Sequence, residues 1–155
     1  MKRPRTIVAL LIASCFAGAA IAQPKLDAAA GEAYLPRLGD IMNAVQTRHI
    51  KLWLAGNALN WELAAYELRQ LKAGLLEAAV MYPGIPVTNV TTMTAPAEAI
   101  ADAIKARDSK RLVKAAGELT AGCNSCHRAM ERGFIVIQAP TASLFGDQSF
   151  APRGR

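Results

Sequence analysis

Few side chains in this 155-residue sequence are able to bind a metal ion, since it contains only two histidines and three cysteines. It contains no block of like charge and no stripe of basic and aromatic residues. These two absences give little support to nucleic-acid binding. Alternation of polar and apolar residues is nearly absent as well, which argues against a protein built from β-strands.

The longest apolar run lies near the N-terminus and is too short to span a membrane. Residues 1–22 begin with MKRPRT and continue as IVALLIASCFAGAAIA. A membrane span needs about 18 or more apolar residues, whereas a basic start, a short apolar run and an Ala-x-Ala end are typical of a signal peptide. We expect cleavage after residue 22 and a periplasmic mature protein without a membrane span. Lipid attachment at Cys15, preceded by IAS, is the alternative.

Cleavage would change both the charge and the cysteine content. The predicted leader carries three basic residues and no acidic one, so the formal net charge falls from +6 to +3. A mildly positive surface favours docking to an acidic partner. The mature chain keeps Cys123, Cys126, His49 and His127 in a compartment where thiols are readily oxidised.

The mature chain is predicted to be all-α. Apolar residues recur at spacings of three and four, and breaks such as YPGIP separate the periodic segments. We expect Thr94 to cap the third helix, Asp108 or Ser109 to cap the fourth, and Gly133 to end it. The predicted helices cover about 36–55, 58–80, 94–107 and 109–133, with a loop of about a dozen residues after the second. Short connections between the others favour an antiparallel four-helix bundle.

We expect one domain over 23–133 and a tail over 134–155. The tail begins with the apolar segment FIVIQAP, so we expect it to pack on the bundle or to be partly disordered. The segment 48–61 contains two tryptophans and a histidine. It is either an apolar end of the bundle or a surface that binds a partner.

The segment CNSCH places Cys123, Cys126 and His127 on one face of the predicted last helix. C-x-x-C-H is the attachment signature of c-type haem, in which both thiols add to vinyl groups and the histidine binds the iron. A redox-active disulfide is one alternative, but such pairs lie where a strand enters a helix. A Cys₂His₂ zinc site is another, but it would also need His49 and normally separates its ligands by a loop. The spacing therefore favours one covalent haem c per chain.

A C-x-x-C-H motif on the last helix of a bundle resembles the class II c-type cytochromes, the cytochrome c prime group and its low-spin relatives. The resemblance covers about 36–133, and CNSCH is its one specific element. It implies thioether bonds at Cys123 and Cys126 and proximal ligation of the iron by His127. It also implies that the first helix faces the second axial position, with an apolar residue in five-coordinate members and a methionine in low-spin members.

Helix geometry gives two candidates for the sixth ligand. If the first and last helices are antiparallel, the residue opposite His127 lies near the start of the first helix, at Ile41 or Met42. His49 shares a face with Met42 but lies two turns deeper, about 10 Å further at 1.5 Å per residue. We expect Met42 as the distal ligand, with His49 or an open iron as the alternatives.

These features predict a periplasmic cytochrome that transfers electrons between redox partner proteins. Methionine–histidine ligation suits this role because methionine raises the reduction potential relative to a second imidazole. The alternative is a five-coordinate protein that binds nitric oxide or carbon monoxide, with Ile41 and Val45 over the iron. No positioned acid or base argues for an enzyme, although an open iron would allow weak peroxidase-type activity. Bundles with an apolar outer stripe often form homodimers, but the sequence does not identify such a stripe.

Overall fold

Helices make up about two thirds of the residues that the computed structural model describes, which are 35–154, and none of these residues forms a strand. The helices are α1 (Leu38–Asn57), α2 (Trp61–Met81), α3 (Val87–Thr91), α4 (Thr94–Ala106) and α5 (Ser109–Ala129). The prediction of an all-helical chain is therefore confirmed. Within 35–154 no helix is both long and apolar enough to cross a membrane. The predicted signal peptide and Cys15 lie outside the described residues.

The helices α1 and α2 form an antiparallel pair. The hydroxyl of Tyr82, directly after α2, donates a hydrogen bond of 2.7 Å to the carbonyl of Pro36, shortly before α1. Further along the pair, Gly74 lies so close to Val45 that an added Cβ would be 2.7 Å from a Val45 methyl carbon. The absence of a side chain at Gly74 therefore lets the two helices approach closely.

The starts of two helices differ from the prediction, α2 in its first residue and α4 in its cap. The side-chain oxygen of Asn60 accepts a hydrogen bond of 3.1 Å from the Leu63 amide, so α2 begins after Asn60 and not near Ala58. The prediction that Thr94 caps α4 is wrong. Thr94 is the first helical residue, and Met93 occupies the cap position without a side-chain hydrogen bond.

The two ends of α5 differ in how well the sequence predicts them. Asp108 caps the start, as predicted, and accepts a backbone N–H at 3.0 Å. The prediction that Gly133 ends the helix is wrong. Glu131 takes the left-handed conformation instead, with φ of 57°, and the amide of Arg132 donates a 2.7 Å hydrogen bond to the carbonyl of His127. A left-handed residue followed by this long-range amide bond is a common helix end.

The loop predicted between the second and third long helices contains the short helix α3, which the prediction did not include. It begins after Pro86, whose ring fixes φ at a value that suits a helix start, and it covers a little more than one turn. Such a short helix gives no detectable periodicity in the sequence.

The helices α1 and α5 are also antiparallel, and two contacts define their register. Gly56 lies against Leu112, whose Cδ1 would be 3.0 Å from an added Cβ. His49 lies further back in α1, and its Nε2 is 2.8 Å from Oγ1 of Thr120. The residue numbers of the contacts decrease along α1 while they increase along α5, as an antiparallel pair requires.

The core between the helices is apolar apart from His49 and the carboxylate of Glu67. Its largest fully buried apolar side chains are those of Leu52, Leu71, Ile100, Leu112 and Leu119. Glu67 is buried with them and accepts a hydrogen bond of 3.2 Å from Arg48 Nη1, since a buried carboxylate needs a partner. Trp53 and Trp61 pack against the same core, so the segment 48–61 contributes to one end of the bundle.

The tail from residue 134 to 154 lies along the bundle, although it forms no helix or strand. Near its start, the backbone of Ile137 makes two hydrogen bonds with the side chain of Asn124 in α5. Near its end, Asn60 Nδ2 lies 3.3 Å from the carbonyls of Phe150 and of the next residue, and the Phe150 ring packs against the core. The tail therefore runs from the end of α5 to the turn between α1 and α2.

We predict that Gly56→Ala lowers the free energy of unfolding by about 1–3 kcal/mol, because the new methyl group would overlap the fully buried side chain of Leu112. Gly117 in α5 is a matched control, since nothing lies within 4 Å of an added Cβ there. Gly117→Ala should raise the stability by up to about 1 kcal/mol, as alanine favours helix. Urea unfolding measures both. Equal effects of the two substitutions would contradict the close packing at Gly56.

Candidate functional site

A cavity of about 490 Å³ is lined by α1, α2, α5, the segment 85–93 and the start of the tail. Most of the lining side chains are apolar, and the volume lies within the roughly 300–1,000 Å³ of pockets that hold cofactors and similar ligands. The lining includes every site residue predicted from the sequence, namely Met42, His49, Cys123, Cys126 and His127. The fold therefore brings these residues to one place.

The two cysteines are free thiols on the last turns of α5. The pKa of the Cys123 thiol is raised to about 11, mainly by burial and secondly by the neighbouring Cys126. Burial also raises the pKa of Cys126. A reactive C-x-x-C pair instead has a lowered thiol pKa, because the thiolate is the attacking species. The environment of these thiols therefore does not favour the disulfide-exchange alternative.

The zinc alternative fails on geometry within the described part of the chain. Residues 35–154 contain no group of three or more His, Cys, Asp or Glu side chains placed to hold a metal ion. A Cys₂His₂ site would need His49 beside His127 and both thiols. The ring of His49 instead contacts Thr120, about two helical turns from His127 along α5.

A backbone carbonyl defines which ring nitrogen of His127 carries hydrogen. Nδ1 of His127 lies 2.8 Å from the carbonyl oxygen of Ile135. A carbonyl only accepts hydrogen bonds, so Nδ1 is the donor, and in the neutral ring the lone pair lies on Nε2. Metal-binding histidines commonly show this arrangement, in which a second group holds the N–H and the other nitrogen binds the metal.

His49 has the opposite tautomer. Oγ1 of Thr120 donates its one hydrogen to the carbonyl of Ala116 at 2.8 Å, so it accepts from His49 Nε2. Burial lowers the pKa of His49, which favours the neutral ring. The lone pair is therefore on Nδ1, which has no hydrogen-bond partner among the described residues. Nδ1 is thus the nitrogen through which His49 could bind a metal without losing its bond to Thr120.

The contact between His49 and Thr120 places Met42 level with His127. Met42 lies seven residues before His49, and His127 lies seven residues after Thr120. Seven residues span about 10 Å along either helix. Met42 and His127 therefore lie at about the same level of the cavity that both line. Ile41, which the helix geometry also allowed, is buried in the bundle and does not belong to that lining.

The residues present fit a large, mostly apolar group with an axial ligand from each of two helices. The thiols and the available nitrogen of His127 lie on α5, while the Met42 sulfur lies on α1. Two buried polar atoms in the described chain have no hydrogen-bond partner, His49 Nδ1 and Asn89 Nδ2, and both residues line this cavity. Such unpaired atoms are rare in proteins and often mark a binding site. This donor set fits a haem attached through C-x-x-C-H.

Sequence reasoning missed the residues that orient the two histidines. Thr120 gave no signal, because a single threonine in a helical segment does not reveal what its hydroxyl group contacts. Ile135 and Ile137 line the cavity and alternate with Phe134 and Val136, whose side chains are exposed. The sequence FIVI does not reveal that alternation, because all four residues are apolar.

Comparison with known proteins adds no relative from which a function can be transferred. No protein-family model matches the chain, and no curated protein or solved structure is significantly similar to it. The resemblance to class II c-type cytochromes therefore depends on the CNSCH segment and on the order of the helices.

We predict that Thr120→Val lowers the free energy of unfolding by about 1–2 kcal/mol, since it leaves the buried ring of His49 without a hydrogen-bond partner. Thr47 is a matched control. Its hydroxyl makes the same type of bond to the carbonyl four residues earlier, at 3.0 Å, but it contacts no histidine. Thr47→Val should change the stability by less than about 0.5 kcal/mol. Equal losses in urea unfolding would contradict the assigned role of Thr120.

Proposed function

We propose that the protein is an exported c-type cytochrome with one covalent haem, which transfers electrons between redox partners. The observation that carries this proposal is the placement of the C-x-x-C-H residues and Met42 at one level of one apolar cavity. A haem bound in this cavity would supply a one-electron couple.

The two cysteines provide the covalent attachment. Each thiol would hold the haem through one thioether bond. Cys123 and Cys126 are three residues apart on a helix and therefore point to the same side. His127 would bind the iron through the lone pair of Nε2, while the carbonyl of Ile135 holds the N–H on Nδ1.

Met42 is proposed as the second axial ligand. Its sulfur needs no deprotonation, and a methionine ligand favours the ferrous state more than a second imidazole does. His49 is less suitable because it lies at the level of Thr120, which is seven residues, or about 10 Å, from His127 along α5.

We propose an acidic surface on the redox partner. Arg128 and Arg132 are exposed at the end of α5, and Arg132 also lines the cavity. Only Glu131 opposes them on this short stretch. Positive charge beside the site would steer an acidic partner toward the haem and raise the association rate, most strongly at low ionic strength.

We predict that the mature protein, produced in a host that matures c-type cytochromes, has the mass of the polypeptide plus one haem. Cys123→Ala combined with Cys126→Ala should abolish this increment, because both attachment points are lost. Ser125→Ala, which changes an exposed residue of the same segment, should keep it. Mass spectrometry of the denatured protein measures the increment. A wild-type mass equal to that of the bare polypeptide would contradict the proposed function.

We predict that Met42→Ala converts a low-spin haem into a high-spin one that binds carbon monoxide, because the sixth position opens while attachment persists. Met81, exposed at the end of α2 and outside the cavity lining, is the control, and Met81→Ala should leave the visible spectrum unchanged. If the wild-type protein is itself high-spin and binds carbon monoxide, the gas-binding alternative is favoured. If Met42→Ala leaves a low-spin spectrum, His49→Ala identifies the other candidate ligand.

A further inference from the structure

Asn124 lies between the two cysteines of the CNSCH segment and is bonded to the tail. Its Nδ2 donates a hydrogen bond of 2.8 Å to the carbonyl of Ile137, and its Oδ1 accepts one of 2.7 Å from the amide of the same residue. The side-chain amide thereby satisfies both backbone groups of one tail residue. A paired contact of this kind fixes the position of Ile137 and also the direction in which the tail runs.

The direction of the tail determines what His127 contacts. Two residues before Ile137, the carbonyl of Ile135 accepts the 2.8 Å hydrogen bond from His127 Nδ1. Asn124 and His127 are neighbours on the surface of α5, about 4.5 Å apart along its axis, and residues two apart in an extended chain are separated by about 7 Å. The tail therefore runs antiparallel to α5 here, with one contact at each end of a short paired segment.

Two sets of contacts hold this carbonyl near the histidine. In the turn after α5, the Arg132 amide donates to the carbonyl of His127, and the Ile135 amide donates to the carbonyl of Arg132. The segment 134–137 belongs to no helix or strand, and Phe134 and Val136 are mostly exposed. On the other side of Ile135, the side chain of Asn124 holds the segment to the helix that carries His127.

We infer that Asn124 is a positioning residue for His127, an inference that rests on the proposed cytochrome function and extends it. By holding Ile137, Asn124 keeps the Ile135 carbonyl on His127 Nδ1, which fixes the plane and tautomer of the ring. A hydrogen bond from the distant N–H makes an imidazole a stronger donor to its metal. A stronger donor favours the ferric state, so this contact lowers the reduction potential.

The test compares Asn124→Ala with two controls in the full-length mature protein. Ser125→Ala changes the neighbouring residue of the same motif, which is exposed and is not bonded to the tail. Asn60→Asp keeps the oxygen that caps α2 but removes the donor to the far end of the tail. The measurements are amide exchange at Ile137, the NMR signal of the His127 Nδ1 proton, and the reduction potential.

For Asn124→Ala we expect faster exchange at Ile137, loss of the His127 Nδ1 proton signal through exchange with water, and a higher reduction potential, with the haem mass retained. Neither control should change the His127 signal or the potential. If Asn124→Ala does not fold, Asn124→Asp is the second variant. It keeps the acceptor for the Ile137 amide and loses only the donor, so an intermediate rate of His127 proton exchange is expected.

Faster exchange at Ile137 with an unchanged His127 signal and potential would overturn the inference, since Asn124 would then only anchor the tail. Failure of the proposed function has a different signature, which is a wild-type mass without haem. In that case the ¹⁵N shifts of the His127 ring in the haem-free chain decide the question. Loss of the Nδ1–H tautomer in Asn124→Ala supports the inference, and its retention overturns it.

Discussion

The antiparallel register between α1 and α5 determines which side chains meet in the cavity. The approach of Gly56 to Leu112 and the bond between His49 and Thr120 define that register at two points. A shift of one helical turn, about 5.4 Å, would place Met42 opposite a different level of α5. Packed helices cannot slide past each other without clashes and the loss of hydrogen bonds. Contacts that lie deeper in the bundle therefore determine the geometry of the site.

The same register gives the two histidines different roles. Both line the cavity, but one hydrogen bond to each ring leaves a different nitrogen available. The carbonyl of Ile135 leaves Nε2 of His127 for a metal, whereas Thr120 occupies Nε2 of His49. The ring nitrogen that each histidine could offer to a metal therefore depends on groups outside the C-x-x-C-H motif. The tail provides one of these groups, because its carbonyl at Ile135 accepts the hydrogen bond from His127. The tail also lines part of the cavity.

The sequence predicts those features of the fold that depend on the spacing and type of residues within one helix. The apolar stripe of α1 and the shared face of Cys123 and His127 follow from spacings of three and four. The cap at Asp108 follows from the preference of aspartate for that position. The turn at Glu131 could not be predicted, because a glutamate with positive φ has no sequence signature. Contacts between helix side chains and tail backbone, such as that of Asn124, involve residues 13 apart in no regular pattern. The sequence therefore predicts which candidate residues line the cavity, but not the groups that orient them.

The central claim is that one iron is bound by the sulfur of Met42 and the Nε2 of His127, with the haem attached through both cysteines of α5. X-ray absorption at the iron edge of the purified protein tests this most directly, because it counts the atoms bound to the iron. The account predicts five nitrogens and one sulfur. Six nitrogens would indicate His49 as the ligand, and five nitrogens without sulfur would indicate an open iron. Either result would contradict the account.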